Sequence, residues 1–437
     1  MLFNSISFIF LFLPTLVLTL IQRQIRLEKK KILVFFSLFF YLMVGIENFL
    51  VLILDVFWVY FILYQKKRIT VLRASIACSA PIFFLIIAKY SNLFFEVNND
   101  FNIVTVGVSF FTFQLIAYCF DRIKPGCEIL GLKDLMLFIS FFPQLIAGPI
   151  VRISKVKIFY KKLNLFKPSF NRLKICSLVF LIGISLKVIF ADNLAEIVNK
   201  HKIIQSDFGI LNFLLICYTY SLQIYLDFFA YSLCAISLGL FFGIRLPNNF
   251  RNPYKSINPQ DFWRKWHITL SSWFRDYIYI PLGGNKNILL SLFVVFIICG
   301  LWHGVGLSFI CWGIYHFLVI IIFLLVRKWN LNLNKNIKIF ITFNLISFGW
   351  IFFIFPFDEI LKLYDSIQPY KYYFNIQKID LVILLSSVFL ILNAEVQKIT
   401  RKLLKFKQTY LGLIIGIWFY VVLIFLNSSN DFIYFKF

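Results

Sequence analysis

The stretch Asn258–Lys286, NPQDFWRKWHITLSSWFRDYIYIPLGGNK, followed after an apolar run by GLWHG at 300–304, decides how the chain is read. It holds two of the four histidines, His267 and His303. Around the first, Trp263, Trp266, Leu270, Trp273 and Tyr277 recur at helical spacing, while Arg264, Lys265 and Arg275 fall on the opposite side. That division predicts one amphipathic helix lying along a membrane surface. Asn258 suits the N-cap, Pro259 the first helical position and Asp261 the positive end of the dipole. Pro281 with Gly283 and Gly284 ends the helix. His303 follows fifteen largely apolar residues, Ile288 to Trp302, and so lies at membrane depth, where an ionisable group is a functional candidate by default.

Working outward, a chain of 437 residues that is 60% hydrophobic and 20% aromatic has too little polar surface for a soluble domain. It reads as an all-α polytopic membrane protein. The net charge of +24 would suit nucleic acid, but the basic residues fall in short clusters between apolar runs, the pattern of cytoplasmic loops. Membrane lipids are therefore the expected partners, and no nucleic acid. Lysine supplies 31 of the 44 basic residues, and this bias is discounted as a functional signal. The eight cysteines stand singly without a CxxC pair and read as small core residues. The N-terminal run MLFNSISFIFLFLPTLVLTLI lacks a basic n-region and a small-residue cleavage site, so it is expected to be a retained first span.

Basic clusters at 23–31, 66–73, 152–174, 245–286, 327–338 and 398–407 should face the cytoplasm. The near-neutral or acidic loops Ser91–Asp100, Asp192–Asp207 and Phe357–Asp380 should face outward, as should the N-terminus. LMLFISFFPQLIAGPIVR, with Pro143 and Gly148-Pro149, has both ends on the cytoplasmic side and reads as a re-entrant segment. At roughly twenty residues per span, the remainder gives about 11–12 transmembrane helices. No internal repeat or linker is visible, so a single membrane domain, 1–437, is expected, with its motifs concentrated at 208–320.

Polar residues inside the apolar runs are the candidates for chemistry. Asp227, among Tyr220, Gln223, Tyr225 and Tyr231, is either a catalytic acid or a carboxylate that ties helices together. Gln114 and Tyr118 either line the same cavity or serve as helix-packing glue. His316 reads as a core histidine, and His201 is assigned nothing. Glycine at 300, 304 and 306 leaves room for a substrate to approach His303. A neutral imidazole there suits a general base. No further ligand stands at metal-binding spacing, so no metal is expected. On these residues alone, an intramembrane enzyme and a transporter stay open.

The motifs GVSFFTFQLIAY, SFFPQLIAGPIVR, YSLQIYLDFFAYS, LPNNFRNPY, DFWRKWHITLSSWFRDYIYIPLGGNK and GLWHGVGLSFICWGIYH, in this order, resemble the membrane-bound O-acyltransferase family. Within it the resemblance is to the branch of the alginate O-acetyltransferase membrane subunit. It implies a bundle with re-entrant and interfacial helices around a tunnel, through which an acyl group passes from a cytoplasmic donor to a hydroxyl. His303 of GLWHG would be catalytic and His267 a second functional position. Relatives usually carry Arg where this chain has Ile354, and DFSGYS where it has DFFAYS. The first departure removes an external contact; Phe229 and Ala230 in the second crowd a helix crossing.

Together these readings predict acetyl transfer in a bacterial inner membrane, with acetyl-CoA as donor substrate, no bound cofactor, an extracytoplasmic polysaccharide as acceptor and a secreted or periplasmic acetyltransferase as partner. Arg251, Arg264, Lys265 and Arg275 are the candidate donor-binding residues. Four of thirteen arginines fall within residues 245–275, and a guanidinium grips phosphate with two parallel hydrogen bonds. The alternative is that they anchor a helix at the membrane surface. Asp227, Tyr225, Gln114 and Trp302 are the candidate tunnel residues. The rival functions are a D-alanyl transfer protein of the teichoic-acid type and a glycan or lipid transporter, the latter disfavoured by the lack of paired repeats.

Overall fold

Helix is the regular structure throughout the described residues, without a strand, as lipid requires of a chain whose backbone groups must pair within each segment. The computed structural model describes residues 3, 5–22, 24–64, 69–94, 106–127, 129–202, 209–329, 332–366, 377–393, 396–405 and 408–425. Seven helices among them are long and apolar enough to cross a membrane: Ile46–Leu63, Val71–Ser91, Phe170–His201, Ile210–Phe242, Gly284–His303, Leu307–Trp329 and Lys335–Ile354. Phe10–Ile21, Val108–Asp121 and Gly412–Val422 are shorter apolar helices. The protein is thus a multi-pass membrane protein. Lys29–Leu42, 14 residues long, is a further helix below that length.

The chain divides into two compact bodies, Met1–Phe180 with Tyr231–Asn248 and Leu181–Ala230 with Asn249–Phe437. In the first, the expected break between Lys133 and Arg152 is present. The Leu132–Ser140 helix stops at Phe141, and the single turn Phe142–Leu145 leads into Gly148-Pro149. The freed backbone groups find partners inside the protein. Gln144 Nε2 donates to the Phe138 carbonyl (2.6 Å) and to Gln114 Oε1 (3.3 Å), and the Phe142 N–H donates to Ser37 Oγ (3.2 Å). Gly148 is obligatory, because a Cβ there would sit 2.3 Å from the Gln144 Cα.

In the second body, the region expected to be an external loop from Asp192 is helical as far as His201, continuous through a wide turn at Leu186–Ala191 with the preceding span. The cause is a buried ion cluster. Lys187 Nζ lies 2.8 Å from Asp192 Oδ1 and 3.1 Å from Asp227 Oδ1, with all three side chains at most 10% exposed. Asp192 therefore ends an apolar span against a cation instead of opening a solvated loop. Residues 203–207 of that expected loop lie outside the described residues, as do 95–100 and 367–376 of the other two.

The charge-based topology is tested by cysteine labelling with an impermeant reagent on a cysteine-free background. Cysteine at Asn199 or Asp358 should react from outside, and cysteine at Leu165 or Leu333 should not. The reverse pattern would invert the assignment.

Candidate active site

The site is built on the stretch that opens the sequence reading. Asn258 caps the helix Pro259–Lys265 as expected, its side chain accepting the Asp261 N–H at 2.7 Å. The single amphipathic helix expected from Asn258 to Pro281 is, however, broken. The chain leaves the helix at Trp266, and His267 takes a left-handed backbone (φ 39°, ψ 54°) before Ile268–Phe274 and a wide turn at Arg275–Tyr279. A non-glycine residue in that conformation costs about 1–3 kcal/mol. The upstream strand-like stretch offsets it: the Arg251 N–H donates to the Lys265 carbonyl (3.0 Å), the Ile268 N–H to the Asn249 carbonyl (2.8 Å) and Thr269 Oγ1 to Asn249 Oδ1 (2.5 Å). The break turns the His267 ring inward onto Phe228, ring centroids 4.7 Å apart. The ring is 1% exposed, and burial pushes its pKa down to about 3, so it is a neutral imidazole at physiological pH.

His303 is the last residue of the Ile288–His303 helix. Its imidazole packs against Trp302, Phe353 and Trp312, at 4.6, 4.9 and 5.1 Å between centroids. His267 touches the same Trp302 indole at 6.4 Å. One cavity of about 790 Å³ reaches both histidines. On the Ile288–His303 helix it is lined by Ile288, Leu292, Val295, Phe296, Cys299 and His303, a single helical face that spans about 22 Å at 1.5 Å per residue. Lys286 lines it at the end where that helix begins, and Arg264 and Arg275 line it too. The result is a long apolar passage with a cationic mouth and an imidazole at its far end.

The glycines beside His303 do a different job from the one expected. A Cβ on Gly300 would meet the Phe309 carbonyl oxygen, and one on Gly304 the Phe309 ring, each at 2.3 Å. Their space is filled by the returning helix Leu307–Val326, and only Gly306 faces open space. They set how closely two helices approach, and substrate access comes from the cavity.

Of the donor-binding candidates, Arg264 and Arg275 line the cavity. Arg275 is oriented by its neighbour, with Nε 2.7 Å from Asp276 Oδ1 and Nη2 3.2 Å from Oδ2. Lys265 is turned to Asp261 (2.7 Å), and Arg251 contributes its backbone to the break. Lys286 joins the mouth without having been singled out; its position at the start of the apolar run was the available signal. Among the tunnel candidates, Trp302 bridges the histidines, and Asp227 belongs to the Lys187 cluster. Gln114 lies in the first body, bonded to Gln144. Tyr225 stacks on Phe229 at 5.4 Å, and both line a separate cavity of about 350 Å³. Phe229 is thus accommodated by free space.

His316 is fully buried among Trp312, Trp263, Tyr315 and Trp350, and its nitrogens have no hydrogen-bond partner among the described residues. A second cavity, about 610 Å³, lies on the other side of Phe353. It is lined by Asn199, Lys202, Tyr220, Gln223, Phe309, Ile354 and Asp358, among others.

Residues 124–357 match the sequence model of MBOAT, the membrane-bound O-acyltransferase family, a range that contains both site histidines. The chain is 34% identical to a peptidoglycan O-acetyltransferase of Helicobacter pylori over 410 residues, covering 81% of this chain and 77% of that protein. It is 34% identical to a probable alginate O-acetylase AlgI of Pseudomonas putida over 266 residues, covering 57% and 52%. A teichoic acid D-alanyltransferase of Bacillus subtilis is 32% identical over 278 residues, covering 57% and 68%. The chain spans about half the length of that alginate relative.

Proposed function

Because the chain belongs to the membrane-bound O-acyltransferase family, we propose that it moves an acetyl group from cytoplasmic acetyl-CoA to a hydroxyl of an extracytoplasmic polysaccharide, in a bacterial inner membrane. The observation that carries this reading is the passage from Arg264, Arg275 and Lys286 to His303. Its cationic mouth suits the phosphates of a nucleotide, and its apolar length suits a thin arm that ends in a thioester. Acetyl is preferred to D-alanyl because the similarity to the peptidoglycan acetyltransferase extends over 81% of the chain, against 57% for the D-alanyl relative.

In this mechanism His303 takes the proton of the acceptor hydroxyl as its oxygen attacks the thioester carbonyl. A carbon–oxygen bond forms, the carbon–sulfur bond breaks, and the departing CoA thiolate recovers the proton from the imidazolium. His267, neutral and packed on the same indole, orients the reacting groups nearer the mouth. Delivery to a long polymer would fall to a secreted or periplasmic partner, since the buried site admits only a small acceptor group.

The mouth arginines give the test. Arg264→Lys and Arg275→Lys keep the charge and lose the bidentate geometry, so each should raise the apparent KM for acetyl-CoA about ten- to a hundredfold with kcat little changed, as for loss of one charge-assisted hydrogen bond. Donor kinetics unchanged in both variants would reduce the arginines to surface anchors.

A further inference from the structure

The cavity of about 350 Å³ behind Tyr225 has no part in the transfer mechanism and shares no lining residue with the passage to His303. Ser185, Phe190, Phe229, Ile399, Trp418 and Val421 are among its walls, all within the body Leu181–Ala230 with Asn249–Phe437. Its lining suits hydrocarbon. Trp418 Nε1 donates to Ser185 Oγ at 2.8 Å, and that hydroxyl donates to the Leu181 carbonyl at 2.7 Å. A polar ligand would give up water there and find both of these groups already paired, whereas an alkyl chain gains dispersion contacts along apolar walls. Val421 lines the cavity and is still 37% exposed, and Leu413, Ile417 and Ile424 of the same helix, Gln408–Phe425, are exposed as well. The cavity therefore opens on a face that lipid covers.

The short helix Val396–Leu403 supplies charge beside it. Val396 and Ile399 line the cavity, and Lys402 stands one turn beyond Ile399, its neighbour on the helix surface. Lys402 and Lys405 are exposed. The Lys405 N–H donates to the Lys402 carbonyl at 3.1 Å, which keeps both cations within a single turn. Charge segregation places 398–407 at the cytoplasmic surface, where a basic cluster next to a span attracts anionic headgroups. We propose that the cavity holds one acyl chain of an anionic phospholipid whose phosphate is bound by Lys402 and Lys405. The lipid fills the wedge between the helix Gln408–Phe425 and the span Phe170–His201, which the Trp418–Ser185 hydrogen bond joins at one point. This site does not rest on the acyl-transfer reading, so each can fail without the other.

The test is native mass spectrometry of the full-length protein released from detergent, titrated with dioleoylphosphatidylglycerol or dioleoylphosphatidylcholine. Wild type should take up one phosphatidylglycerol at a concentration at least about tenfold below that for phosphatidylcholine, and its unfolding temperature should rise with that lipid. Each lysine near an anionic surface is worth roughly fivefold in affinity, so Lys402→Gln with Lys405→Gln should raise the phosphatidylglycerol Kd about thirtyfold and leave phosphatidylcholine unchanged. Val421→Trp, a replacement at a lipid-facing position that plugs the cavity, should weaken both lipids alike. As a second readout, phosphatidylglycerol brominated on its tail should quench a component of the tryptophan fluorescence that Trp418→Phe removes. Equal uptake of the two lipids by wild type, or many equivalent adducts, overturns the anionic-lipid assignment. Unchanged affinity in the double lysine variant overturns the headgroup site. Unchanged affinity in Val421→Trp, or quenching that survives Trp418→Phe in full, overturns the cavity as the tail site.

Discussion

Replacing His303 by alanine is expected to abolish glycan acetylation while the protein still accumulates in the membrane. General-base catalysis is worth roughly a hundred- to ten-thousand-fold, and His303 is the imidazole at the inner end of the passage, its ring against Trp302, Trp312 and Phe353. His316→Ala is the control. Its ring is equally enclosed by aromatics, 4.9 Å from Trp312 and 5.0 Å from Trp263, yet it does not line the passage. Loss in that variant should follow folding: removing it leaves a void beside Gly349, whose Cβ position lies 2.5 Å from His316 Nε2. Acetyl ester per inserted protein should therefore fall at least a hundredfold for His303→Ala and change little for His316→Ala. Equal losses on that scale would remove the distinction between the two histidines.

The largest effect on stability is expected at Lys187. Its ammonium serves two carboxylates, Asp192 and Asp227, that are 2% and 3% exposed at their side chains. Lys187→Met takes away the cation and leaves both acids without it in a low-dielectric interior. Breaking a buried pair by removing one partner costs about 3–5 kcal/mol, a large part of the 5–15 kcal/mol that holds a typical domain together. Monodisperse protein recovered in detergent should fall severalfold, and its unfolding temperature should drop. Adding Asp192→Asn and Asp227→Asn should restore much of both, because the uncompensated charges are then gone. Normal recovery of Lys187→Met would mean that the cluster contributes little.

Much of this architecture is legible in local sequence. Asn258, Pro259 and Asp261 mark a helix start by side-chain chemistry within one turn, and they start one here. Pro143 and Gly148-Pro149 mark a broken helix because proline removes a backbone donor and glycine adds backbone freedom within six residues of it, and the breaks fall there. Arg264 and Arg275, which line the cavity, stood out because arginine is rare in a lysine-rich chain and concentrates at 245–275.

The misreadings share a cause: tertiary partners that no window contains. The break at His267 preserves the aromatic spacing, since Trp266, Leu270 and Trp273 are buried on both sides of it. Periodicity therefore sees one helix where hydrogen bonds from residues 249–251 make two. Gly300 and Gly304 announce a close approach without naming what approaches, and it is Phe309. Lys187 passed as one more lysine of a lysine-rich chain; a lone cation inside an apolar run five residues before an aspartate was the signal.

The direction of transfer tests the central claim most directly. Right-side-out vesicles that contain the protein can be given acetyl-labelled CoA either inside or outside, with a glycan acceptor and the delivery partner outside. The account predicts that label reaches the glycan from internal donor, little from external donor, and from neither in His303→Ala vesicles. Label transferred equally well from outside, or from inside without His303, would contradict a passage that leads from the cationic mouth to that imidazole.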